Sequence, residues 1–155
     1  MFGYCVWYTI DRSHRLNVLI HRLALRFRTD FFPGHITLHS HMTKQNASHH
    51  YALQCKITKP WFHSHGSTYQ TKTTSSTKEV FYAIQQNYLM YNEPRLGTYH
   101  VSLAYRVNVP FTEEDILYAA SLIPVDNIWA EDMYLSLNDC GTILPKHWIQ
   151  LKRNI

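Results

Sequence analysis

One short pattern constrains this chain more than any other, because it occurs twice. His35-Ile36-Thr37-Leu38 returns later as His100-Val101-Ser102-Leu103, and each copy reads histidine, β-branched apolar residue, hydroxyl, leucine. Residues of this kind favour strands, and along a strand successive side chains point to opposite faces. His35 and Thr37 therefore share one face while Ile36 and Leu38 share the other, and the second copy divides in the same way. Each copy buries an aliphatic pair and presents an imidazole with a hydroxyl two residues on. Two such strands side by side make a cleft holding two imidazoles and two hydroxyls.

Composition narrows the setting. A chain of 155 residues is long enough to bury a core unaided, and no low-complexity segment or linker divides it, so a single domain over 1–155 is expected. The 3 cysteines, Cys5, Cys55 and Cys140, are an odd number at scattered spacings, which fits a reducing compartment better than a disulfide scaffold. The first residues lack a basic segment followed by an apolar run, and no stretch approaches about 18 consecutive apolar residues. The expectation is a soluble, cytoplasmic monomer with no membrane partner. Lysine and arginine total 15 against 11 acids, a formal charge of +4, which favours an anionic ligand but falls short of the dense patches of duplex binders.

Read in order, residues 2–10 form an aromatic, β-branched strand ending in Trp7 and Tyr8. Leu16, Leu19, Ile20, Leu23, Ala24 and Phe27 recur at helical spacing and predict a helix over 13–28 whose solvated face carries Arg15, Arg22 and Arg26. Pro33-Gly34 breaks the chain before the first motif strand, 34–40. Residues 42–48 read as a loop or a short helix, 51–57 as a strand, 60–67 as a loop and 69–75 as a strand. Ser76-x-x-Glu79 has the form of a capping box and heads an expected helix with Val80, Phe81, Ile84 and Tyr88 on its apolar face, ending before Pro94. The second motif strand lies within 95–105. Thr112 then opens a third helix, and strands near 132–137 and 148–152 close the chain. Helix and histidine strand follow one another in each half, a rough internal duplication.

The paired H-x-T-L and H-x-S-L motifs resemble the signature of the 2H phosphoesterases, and most closely that of the small cyclic nucleotide phosphodiesterase branch. The opening Val6-Trp7-Tyr8 strand, the Pro33-Gly34-His35 approach and the extended second motif through Ala104-Tyr105 support the likeness, which spans nearly the whole chain as an order of elements. It implies an α+β fold of two pseudo-symmetric lobes, with antiparallel sheets forming a central cleft and helices outside. It also implies metal-independent hydrolysis of a 2′,3′-cyclic phosphate, of a cyclic nucleotide or ADP-ribose cyclic phosphate, or of a related 2′-linked phosphodiester. His35 and His100 would divide the acid and base roles, and Thr37 and Ser102 would hold the phosphate. Imidazole suits both roles because its unperturbed pKa lies near about 6.5. Charge growing on the phosphoryl oxygens needs fixed donors. Which histidine is the acid is not written in the sequence.

Tyr105 matches a substrate-side tyrosine of that branch, yet strict alternation gives it the parity of the core residues Val101 and Leu103. Site and core stand even there unless a bulge intervenes. Tyr8 is taken as the aromatic able to stack on a base, and Trp7 is weighted toward the core. No cofactor and no metal are expected, although His35, His39 and His41 share a strand face by parity and His63-x-His65 adds a close pair, which leaves a zinc cluster as a rival. The partner is a small anionic nucleotide, or a short RNA or oligonucleotide. The alternatives are a nuclease of 2′,5′-oligoadenylate or of cyclic oligonucleotide signals, as in viral anti-defence enzymes, and a non-catalytic RNA- or nucleotide-binding module.

Overall fold

The computed structural model describes residues 3–74, 79–90, 99–107, 109–141 and 144–154, with backbone alone over 67–74 and 79–82. The described chain is α+β. Seven strands form one sheet, β1 (Tyr4–Ile10), β2 (His35–Met42), β3 (Phe62–Thr74), β4 (Glu79–Met90), β5 (Tyr99–Val107), β6 (Met133–Asp139) and β7 (Ile149–Asn154). Three α-helices accompany them, α1 (Arg15–Phe27), α2 (Lys44–Gln54) and α3 (Glu113–Leu122). The strand order is β3-β4-β5-β2-β1-β6-β7, and every neighbouring pair is antiparallel. The two motif strands, far apart in sequence, are thus adjacent at the centre of the sheet, with Ile36 opposite Val101. Among the described residues no helix is long and apolar enough to cross a membrane.

The aliphatic halves of both motifs do what alternation demands. Ile36, Leu38, Val101 and Leu103 join Val6, Tyr8 and Ile10 in the core, which also receives Leu16, Leu19, Ile20, Leu23 and Phe27 from α1. Leu16, Ile20 and Leu23 are fully buried, each contributing about 1.5–3 kcal/mol of transfer free energy. Thr112 caps α3: its hydroxyl accepts from the Asp115 amide while the Asp115 carboxylate accepts from the Thr112 amide. Arg22 and Arg26 lie on the exposed side of α1 as expected, and Arg15 there reaches Asp126 at 3.7 Å.

Three segments differ from the sequence expectation. Residues 79–90 form a strand, not a helix, and Ser76 lies outside the described residues. The apolar residues at 80, 81, 84 and 88 fit a helical stripe, but 84 and 88 also share strand parity. Pairing on both sides, with β3 and with β5, satisfies the backbone of a central strand. Conversely, 51–57, read as a strand, belongs to α2 up to Gln54, with Thr43 as N-cap accepting from the Asn46 amide. The region 60–67, read as a loop, supplies the start of β3. The second motif strand is therefore preceded by the β3–β4 hairpin, and the helix-then-motif duplication does not hold at the level of elements.

Candidate functional site

Antiparallel pairing of Ile36 with Val101 carries His35 opposite Ser102 and Thr37 opposite His100, so each motif's imidazole faces the other motif's hydroxyl. His35 and Ser102 are buried, and Thr37 and His100 are half-buried. The next strands outward extend this face. On β1, Thr9 stands opposite His35 and Trp7 opposite Thr37; on β4, Asn87 stands opposite His100 and Gln85 opposite Ser102.

The first histidine is held from several sides. His35 Nδ1 lies 2.8 Å from the Pro33 carbonyl oxygen; a carbonyl can only accept, so Nδ1 carries the hydrogen and the neutral ring has its lone pair on Nε2. The Trp7 indole stacks on the imidazole, with centroids 3.7 Å apart and 16° between planes. Trp148 meets it edge-on at 5.7 Å and Phe32 at 6.3 Å. Behind the ring, the approach is fixed by buried Asn17, whose Nδ2 donates to the Ile10 and Asp11 carbonyls and whose Oδ1 accepts from the Gly34 amide at 2.6 Å. A Cβ on Gly34 would lie 2.9 Å from that Oδ1 and 3.1 Å from Ile20 Cδ1, so the close approach of the backbone to α1 just before His35 favours glycine.

Around the second motif, a bulge decides the fate of Tyr105. The β4–β5 register runs Ile84 to Ala104 and then Gln85 to Ser102, leaving Leu103 as an extra residue. The parity beyond it is reversed, and Tyr105 joins the face of Ser102. Its hydroxyl donates to Ser102 Oγ at 2.7 Å, and its ring lies 5.2 Å from Phe32 and 6.0 Å from Trp148. Burial pushes the Tyr105 phenol above its ordinary pKa, so near neutrality it stays a hydrogen donor.

Tyr8 is on the other face. It pairs with Ile36, is 1% exposed in the core, accepts from Gln54 Nε2 at 3.1 Å and meets Phe62 edge-on. It is Trp7, whose odd position pairs with Thr37, that lies on the motif's polar side. The histidine cluster weighed as a zinc site also comes apart. A bulge at Leu38 takes the register from Trp7–Thr37 to Val6–His39, so His39 leaves the face of His35 and stacks on His50 of α2 at 4.2 Å. His41 adopts φ 56°. Among the described residues no group of three or more metal-ligating side chains gathers.

A cavity of about 800 Å³ adjoins the site on the β1–β6–β7 side. Trp7 and Trp148, which touch His35, form part of its wall together with Phe31, Tyr134, Arg12 and Arg153. Tyr134 donates to Asp11 at 2.7 Å, and the Arg153 guanidinium lies over the Tyr134 ring at 3.9 Å. Aromatic faces beside two guanidinium groups suit a planar, anionic ligand such as a nucleotide.

Trp148, Phe32, Asn17, Gln85 and Asn87 do not stand out in the sequence. For Trp7 the parity signal is present; Trp148 and Phe32 reach the site only through tertiary packing. The chain matches no model of a known protein family and none of the curated proteins with which it was compared.

Proposed function

We propose that this protein is a metal-independent phosphodiesterase of the 2H type, hydrolysing a 2′,3′-cyclic phosphate or a related 2′-linked phosphodiester. The observation that carries the reading is the crossed pairing of the two motifs, His35 opposite Ser102 and Thr37 opposite His100, on neighbouring central strands. Such an arrangement has local twofold character about the β2–β5 junction, with further strands on either flank, in keeping with a two-lobed design around a central cleft.

In the proposed reaction one imidazole removes a proton from water as its oxygen attacks phosphorus. The bond from phosphorus to one ribose oxygen breaks, and the opposite imidazolium donates a proton to that oxygen, giving a phosphomonoester. Each partner contributes about 10²–10⁴-fold. Thr37 and Ser102 hydroxyls meet the charge on the phosphoryl oxygens, and the Tyr105–Ser102 hydrogen bond orients the latter. His35, with its hydrogen on Nδ1, exchanges its proton through Nε2.

The cavity beyond Trp7 favours a second reading within the same chemistry. Its volume has room for a nucleoside attached to the phosphate on the His35 side, as in 2′,5′-oligoadenylate or a cyclic oligonucleotide. Hydrolysis of a panel holding 2′,3′-cyclic mononucleotides, ADP-ribose cyclic phosphate, 2′,5′-oligoadenylate and cyclic dinucleotides, in excess EDTA, tests both. Preference for cyclic mononucleotides supports the first substrate class, and preference for the larger members the second. Turnover of none by the folded protein leaves a binding module as the better account.

A further inference from the structure

Among the described residues, three buried side-chain polar atoms lack a hydrogen-bond partner: Thr29 Oγ1, Tyr88 OH and Gln85 Nε2. Tyr88 belongs to the core and Thr29 follows the end of α1. Gln85 differs in place. It is 2% exposed, sits on a central strand directly opposite Ser102, and shares with Asn87 the parity of the motif face. Its neighbour Gln86, on the opposite face, satisfies its own Nε2 by donating to Ser64 Oγ. One glutamine of the pair is thus engaged in the fold, while the other holds a desolvated donor beside the residue read as a phosphate ligand.

A buried amide N–H without an acceptor is destabilising, since it has lost water and gained nothing. Such a group is accounted for if an acceptor arrives with the ligand. The acceptor must be rich in lone pairs and lie next to Ser102, and a non-bridging phosphoryl oxygen meets both conditions. A donor already desolvated and fixed on a strand interacts more strongly with an anion than one that must be stripped of water on binding.

We propose that Gln85 is a substrate-binding residue whose Nε2 donates to a non-bridging phosphoryl oxygen alongside the Ser102 hydroxyl. This rests on the phosphodiesterase reading and adds to it a ligand from outside both motifs. It separates two properties that a structural glutamine would keep together. Gln85→Met, close in shape and without the donor, removes an unsatisfied group from the ligand-free protein and so keeps or raises its melting temperature, by up to about 2–4 °C. The same change weakens phosphate binding. Gln85→Glu places a carboxylate against the anion and weakens it further.

The experiment is thermal denaturation of ligand-free protein together with titration of inorganic phosphate into wild type, Gln85→Met and Gln85→Glu, with hydrolysis of the best panel substrate measured in parallel. The expected result is a melting temperature in Gln85→Met no lower than wild type, with phosphate affinity and kcat/KM about 10-fold down and lower again in Gln85→Glu. A fall in melting temperature, or phosphate affinity unchanged in both variants while wild type binds and turns over, overturns the assignment of Gln85 alone. Wild type that neither binds phosphate nor hydrolyses any panel member overturns the site reading and this assignment with it.

Discussion

The same four-residue pattern stands in two different surroundings. Around His35 the neighbours are rings: Trp7 stacked on the imidazole, Trp148 and Phe32 at its edges, with the Pro33 carbonyl fixing Nδ1. Around His100 the adjacent strand supplies amides, Asn87 opposite the histidine and Gln85 opposite Ser102. His35 is buried and His100 half-buried. A repeated motif therefore fixes which side chains share a face but not what they face. In the proposed enzyme the aromatic flank holds one imidazole in a single tautomer and walls the neighbouring cavity through Trp7 and Trp148, and the amide flank meets the phosphate.

Unequal flanks predict unequal costs of disturbing them. Trp7→Ala removes the ring stacked on His35 and leaves a large void, so stability falls by about 3–5 kcal/mol. Asn87→Ala on the opposite flank costs about 1–2 kcal/mol. Urea unfolding of the two variants gives both numbers, and equal losses would erase the distinction between the flanks. Next in size is Asn17→Ala, which takes the acceptor from the Gly34 amide and the side-chain donor from the Ile10 carbonyl behind His35, while the Asp11 carbonyl keeps the His14 amide. It costs about 2–3 kcal/mol and lowers kcat by displacing the Pro33–His35 approach, while kcat unchanged in a folded variant would show that this approach does not position the ring.

Tyr105 lies where the two flanks meet. Tyr105→Phe removes the donor to Ser102 and lowers kcat/KM about 5- to 10-fold. Because burial holds the phenol above its unfolded value of 10.0, the protonated form stabilises the folded state fully below pH 10, and that stability is lost as pH rises above it. The alkaline limb of wild-type stability should therefore be steeper than that of Tyr105→Phe, and coincident limbs would contradict its burial as a proton-bearing donor. The smallest effect is at the cavity wall. Asp11 is held at about 2 by the Ser13 hydroxyl, then the Ser13 amide, then the Tyr134 hydroxyl. Its depressed pKa contributes stability present above the ordinary carboxylate value of 3.8 and lost as pH falls through about 2. Asp11→Asn should flatten that part of the acid transition in circular dichroism.

How far the sequence is legible follows from what each signal measures. Alternation in the two motifs places Ile36, Leu38, Val101 and Leu103 in the core and His35 with Thr37 on the other face, because those positions obey a period of two. It fails where a bulge inserts a residue. Leu38 turns His39 away from His35, and Leu103 brings Tyr105 to Ser102, the resolution that parity alone leaves even. Helical spacing identifies α1 but misassigns 79–90, since a central strand buried on both faces loses its alternation and its apolar residues can mimic a helical stripe. That error hides Gln85 and Asn87, whose relation to the motifs exists only through strand pairing. Tyr8 and Trp7 exchange their expected places because both are aromatic and adjacent, and only the register with Ile36 and Thr37 separates them.

The most direct test of the central claim is the rate of phosphodiester hydrolysis, in excess EDTA, by wild type, His35→Ala, His100→Ala and the double variant. Two imidazoles working as acid and base on one phosphorus form a unit, so each single variant should lose about 10²–10⁴-fold and the double variant little more. Either single variant retaining the wild-type rate, with its fold intact, would contradict the two-histidine mechanism.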